Sequence, residues 1–204
     1  MAADLVTLIE TVAITQFLTP GAKSLGEAAL ERAQRISKAA VQLLARVGRE
    51  PQPVEPKVLV PLVQAAALET NGALSARWAA LLANAADPAQ RVQVQPSFAG
   101  VLRELTPVEA HVLERVYAGV TAETFQAGAE PESVIVDAYA QELGLSPTDF
   151  GVCMDNLIRL RLCGLRTRAF NIEQLSVALT PAIWVIPTRF GQAFLLACTP
   201  PTAQ

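Results

Sequence analysis

Few side chains in this sequence have the types and spacing that catalysis or metal binding would need. His111 is its only histidine, and Glu114 follows three residues later, so on a helix the two share a face. A metal site needs three or four ligands, and no cysteine or histidine cluster joins that pair. No metal or cofactor is therefore expected. A histidine-dependent triad would have to use His111, yet no G-x-S-x-G accompanies it. The three cysteines, Cys153, Cys163 and Cys198, form an odd number at no metal-binding spacing, which fits a reduced, cytoplasmic setting. Cys153 reads as a small buried hydrophobe rather than a nucleophile. Neither G-x-x-x-x-G-K nor G-x-G-x-x-G is present, so the standard phosphate-cradling loops are absent. These residues predict a protein that is not an enzyme.

A second constellation is basic. Arg159, Arg161, Arg166 and Arg168 fall within ten residues and could meet phosphates. Asn156, just upstream, could read adenine. Thr148, Asp149, Gly151, Val152 and Asp155 share its helix, and the two aspartates would repel a nucleic-acid backbone. From Leu105 onward there are six arginines against ten carboxylates, a net charge of −4. A DNA-binding segment is usually basic, whereas a protein-binding one need not be. A protein partner or a homo-oligomer is expected, with DNA as the other possibility.

These residues must be positioned by helices. The chain has 204 residues, 51% hydrophobic, 17% charged and 5% aromatic, with a net charge of −3. It is long enough to bury a core made mainly of Ala, Leu and Val. No stretch approaches the ~18 apolar residues of a membrane span. The start, Met1-Ala2-Ala3-Asp4, has no basic run of the kind that opens a secretory signal.

A first amphipathic helix is expected over Asp4–Leu18, its polar face carrying acids and Thr rather than the Lys and Arg that suit an anionic membrane. A second covers Lys23–Val47, with Leu25, Ala29, Ala33, Ile36, Ala40, Leu43 and Val47 in a narrow stripe. That stripe suits close pairing inside the fold or across a symmetric dimer. Gly48 is its C-terminal stop. Pro51, Pro53 and Pro56 make a stiff connector. Helices follow over Lys57–Glu69, with Pro61 in the first turns, and over Ala73–Ala86 after a break at Asn71-Gly72. Trp78 on the latter reads as core. A short helix over Ser97–Glu104 comes next.

The pattern changes after Leu105. Thr106-Pro107-Val108-Glu109 is a capping box opening a helix that Gly119 ends. A helix over Glu132–Leu143 is closed by Gly144, and Ser146 opens another that runs to about Arg161. Arg166–Ile172 and Ser176–Ile186 read as strands. Thr188 caps a last helix to Cys198. Helix, helix, helix, strand, strand is the order of a winged helix, with Asn156, Arg159 and Arg161 on its recognition helix and Arg166 and Arg168 opening its wing. The fold class expected is mainly α, a helical N-terminal region (1–95) followed by a winged-helix-like α+β domain (96–204).

Leu68-Glu69 through Leu74, then Arg77-Trp78-Ala79-Ala80-Leu81-Leu82-Ala83-Asn84-Ala85, resembles the signature of the Abi-alpha family. Gln95-Pro96-Ser97-Phe98 leading to Leu102-Arg103-Glu104-Leu105-Thr106-Pro107 is similar to the segment that follows it. The approach over Pro51–Leu62 and the last helix from Thr188 to Phe194 match as well. The resemblance covers about Leu25–Cys198. It implies bacterial abortive infection, a phage defence in which the infected cell stops growing, and it carries over no catalytic residue.

Overall fold

The computed structural model describes residues 7, 23–89, 92–118, 120, 134–135, 140–167 and 183–203. The expected helix over Asp4–Leu18 lies outside them except for Thr7, which is helical. Two compact units emerge, one of Met1–Pro107 with Ala193–Gln204 and one of Val108–Gln192. The sequence reading placed one boundary after residue 95. The units divide at Pro107 and Gln192 instead, so the short helix after Gln95 and residues 193–204 belong with the first unit.

The first unit contains α1 (Lys23–Arg46), α2 (Pro56–Ala66), α3 (Gly72–Ala85) and α4 (Ser97–Glu104). Ala29, Ala33, Ile36, Ala40 and Leu44 of α1 are buried, and α1 packs most extensively on α3. Small side chains at helical spacing let two helices approach closely, so the stripe is used inside the unit. It ends on Leu44, with Leu43 and Val47 half-buried. Gly48 then takes φ +69°, and the Arg49 N–H bonds the Leu44 carbonyl at 3.0 Å, the expected left-handed helix stop.

Pro56 opens α2 at its first position, where its missing N–H costs little. Pro61 was expected in the first turns but lies inside the helix, with its ring exposed. Helix α2 stops at Ala66, short of Glu69, and Arg32 Nε donates to the Ala67 carbonyl at 2.7 Å. Asn71, read from sequence as part of a break, is the N-cap of α3. Its side-chain oxygen accepts from the N–H groups of Ala73 and Leu74 at 2.9 and 3.2 Å. Trp78 is fully buried, as expected, with Nε1 donating to Glu69 Oε2 at 3.3 Å.

The proline-rich connector is held to the end of α3. Gln52 N–H bonds the Ala86 carbonyl at 2.9 Å, and Arg49 pairs with the buried Asp87 at 2.6 Å. Residues 193–203 close this unit. Phe194 meets Phe98 edge to face, centroids 5.6 Å apart. Asn84 Nδ2 donates to the carbonyls of Ala197 and Thr199 at 2.9 and 2.7 Å.

The second unit runs α5 (Pro107–Val116), β1 (Val134–Ile135), a helical turn over 140–142, α6 (Pro147–Arg159), β2 (Cys163–Thr167) and β3 (Ile183–Pro187), and takes in the start of α7 (Arg189–Ala197). The sheet is antiparallel in the order β1-β3-β2. Val134 pairs with Val185, and Leu165 with Val185 on the other side. The helix expected over Glu132–Leu143 is thus corrected at its start. Val134 and Ile135 are β-branched and find a strand to pair with, and among the described residues only 140–142 are helical there. Of the two expected strands, residues 168–182 lie outside the described residues.

Gly144 takes φ +66° as expected, ending that helical turn. Ser146 caps α6 by accepting from Asp149 N–H at 3.1 Å. Phe150, Met154 and Leu157 of α6 pack inward with Val112, Leu113 and Val116 among the buried residues of this unit. Tyr117 ties the unit together. Its hydroxyl donates to the Leu162 carbonyl at 2.5 Å and accepts from Thr188 N–H at 2.7 Å. A Cβ on Gly191 would run into that hydroxyl and that carbonyl, so only glycine fits there. Thr188 caps α7 by accepting from Gly191 N–H at 2.9 Å. The described chain is mainly α with one small sheet.

Candidate functional site

Helix α6 carries most of the residues singled out from sequence. Phe150, Met154 and Leu157 bury one face. The other exposes Thr148, Asp149, Val152, Asp155 and Arg159, which recur at helical spacing. Val152 is 64% exposed, an isolated apolar side chain between two carboxylates. Asp149 is additionally held by Ser146, whose hydroxyl donates to Oδ2 at 2.6 Å.

Asn156, the candidate base reader, is half-buried and engaged on both sides of its amide. Nδ2 donates to Glu109 Oε1 at 2.7 Å, and Oδ1 accepts from Arg159 at 2.7 and 3.1 Å. Glu109 is 5% exposed. From sequence it was only the last member of a capping box; the structure shows it linking α5 to α6. A glutamate at the third position of a helix carries no signal for a partner 47 residues away.

Arg159 and Arg161 are both exposed. Arg161 follows the end of α6 at φ +60°, the one described non-glycine residue in the left-handed region. The next N–H, of Leu162, bonds the Leu157 carbonyl at 2.9 Å, so Arg161 stands where helices usually end on glycine. Arg166 lies in the backbone of β2, pairing with Trp184, and Arg168 lies outside the described residues. The structure thus places Asn156, Arg159 and Arg161 together at the end of one helix.

The surroundings of the three thiols favour their protonated form. Burial pushes the thiols of Cys163 and Cys198 up to about 12. Cys153 is half-buried, and its pKa is raised, first by burial and then by the charges of Glu109 and Asp149. A thiol so placed stays protonated near neutrality, and the thiolate is the nucleophile. His111 Nδ1 lies 3.8 Å from Glu114 Oε2, the helical pairing expected, with both side chains mostly exposed. Among the described residues no three potential ligands converge on a point where a metal could sit.

The family model for abortive infection alpha matches residues 27–198. The chain belongs to that family. Neither a curated protein nor a solved structure matches it. The match runs through both compact units and includes all of α6 with Arg159, and Arg161 after it. Membership in the abortive infection alpha family ties the chain to phage defence. No helix among the described residues is long and apolar enough to cross a membrane.

Proposed function

We propose that this abortive infection alpha protein is a non-enzymatic, cytoplasmic phage-defence factor that acts through protein contacts, and that residues 108–192 form a winged helix whose α6 face is the docking surface. Two features support the winged-helix reading. The elements follow the order helix, strand, helix, helix, strand, strand, and the third strand lies between the other two.

The observation that carries the protein-contact reading is the outer face of α6. It presents Val152 between Asp149 and Asp155, an apolar centre with an acidic rim. Phosphates are repelled by such a rim, whereas a protein partner can bury the valine. Plaque counts on cells expressing the full chain test this. Val152→Lys is expected to abolish protection with no change in melting temperature, because the site is exposed. His111→Ala and Cys153→Ala are expected to keep it. Protection retained by Val152→Lys overturns the docking surface; protection lost in either of the other two, with the fold intact, is the outcome that an enzyme acting through that residue predicts.

Exposed Arg159 and Arg161 favour a second reading, a DNA-binding regulator. On that reading Val152→Lys tightens DNA binding, and replacing Arg159, Arg161, Arg166 and Arg168 with Ala removes a steep salt dependence. A salt titration on mixed duplex fragments separates the two, since no binding at about 100 mM salt counts against nonspecific phosphate contact.

A further inference from the structure

A cleft of about 340 Å³ opens between α2 and α4 of the first unit. Pro61, Gln64, Ala65 and Leu68 line one side, and Ala99, Gly100 and Arg103 the other. Three of these residues are poor choices for stability alone. Leu68 is a large apolar side chain left 59% exposed at the lip. Pro61 sits inside a helix, where it removes the N–H that would bond the Lys57 carbonyl. Gly100 sits inside α4, where alanine holds a helix better by about 1 kcal/mol.

Nothing in the backbone asks for that glycine. Its φ is not in the left-handed region, and a Cβ built there meets no atom within 4 Å. What its missing side chain does is keep the cleft open. Arg103 lines the same cleft, exposed, with no hydrogen bond or ion pair among the described residues. A floor of small residues with an apolar lip, Gln64 in the lining and one guanidinium without a partner among the described residues is complementary to a large apolar group that has a carboxylate beside it.

We propose that this cleft docks a peptide segment of a partner protein, one that places a leucine- or phenylalanine-sized side chain over Gly100 and an adjacent carboxylate on Arg103. This deepens the protein-contact reading and rests on it. The volume holds one such side chain and its neighbouring backbone, within the roughly 300–1,000 Å³ typical of ligand sites.

Selection of a random heptapeptide library on the full chain tests it. The expected consensus is one large aliphatic or aromatic residue next to Asp or Glu. Gly100→Leu fills the cleft and is expected to abolish binding. Arg103→Gln is expected to weaken it about tenfold, the effect of removing one charge-assisted contact. Leu68→Ser changes only an exposed side chain, so it keeps the test valid if Gly100→Leu fails to fold, and it too is expected to weaken binding.

No consensus, or equal binding by all three variants, overturns the proposal. So does a wild-type dimer that Gly100→Leu makes monomeric, because a second copy then occupies the cleft. Peptide selection reads the cleft, while plaque counts read the defence role. Protection without peptide binding leaves the function standing and removes the cleft; peptide binding without protection does the reverse.

Discussion

Arg161 is the residue whose side chain and backbone make opposing demands. A left-handed conformation costs a non-glycine residue about 1 kcal/mol, because Cβ crowds the carbonyl that follows. Gly48 and Gly144 take the same conformation at no such cost. Arg161→Gly is therefore expected to raise stability, by somewhat under about 1 kcal/mol once the extra freedom of an unfolded glycine is counted. A melting curve checks the sign. If the arginine is kept for a charged partner, the same variant gains stability while losing that contact.

Ser37 is a second residue with a local cost. It is fully buried on α1, and its hydroxyl has no hydrogen-bond partner among the described residues. Burying such a group costs about 1–3 kcal/mol. Ser37→Ala is expected to stabilise the fold by about 1 kcal/mol, read by denaturant midpoint. A loss of stability would show that the hydroxyl has a partner after all.

Burial also makes the fold sensitive to alkali. Tyr117, Cys163 and Cys198 are each pushed up to about 12, chiefly by burial, from ordinary values of 10.0 for tyrosine and 9.0 for cysteine. The unfolded chain loses these protons first, so between about pH 9 and pH 12 it binds fewer protons than the folded chain. Stability is whole below that window and falls as pH rises through it. Denaturant midpoints from pH 8 upward are expected to decline, and Tyr117→Phe with Cys163→Ala and Cys198→Ala to flatten the slope. An unchanged slope in that variant would assign the alkaline loss to other groups.

At the scale of elements, caps decide where helices begin and end. Asn71 supplies one oxygen to two otherwise unpaired N–H groups of α3, the helix that carries Trp78. Asn71→Ala is expected to cost about 1 kcal/mol in the denaturant midpoint, and Asn71→Asp to cost much less. Equal losses in the two variants would move the effect from the cap to some other contact of the amide. The strands follow a different logic. A two-residue strand such as Val134–Ile135 has no stability of its own and exists because β3 is there to pair with.

For the whole molecule, the telling feature is that residues 193–203 close the first unit. Asn84 is 6% exposed and its amide bonds two carbonyls more than 110 residues away in sequence. Removing it strands both acceptors. Asn84→Ala is expected to cost about 2–3 kcal/mol and to lower the melting temperature of the full chain. Asn84→Asp replaces two donors with acceptors and is expected to be worse. A near-neutral Asn84→Ala would mean that the returning segment adds little to the unit.

Local signals account for what could be read from the sequence. The bounds of α1 and α4, the glycine stops at Gly48 and Gly144, the caps at Ser146 and Thr188 and the burial of Trp78 all depend on residues within a turn or two of one another, or on apolar spacing along one helix. The rest depends on partners far apart in the chain. Glu109 finds Asn156, Tyr117 finds Thr188, Val134 finds Val185, and Phe194 finds Phe98. No periodicity or cap encodes such pairings, because each is chosen when whole elements compete for the same buried surface. The cleft beside Gly100 is of that second kind: a glycine in a helix is only a weak residue until the neighbouring helix shows what its missing side chain leaves open.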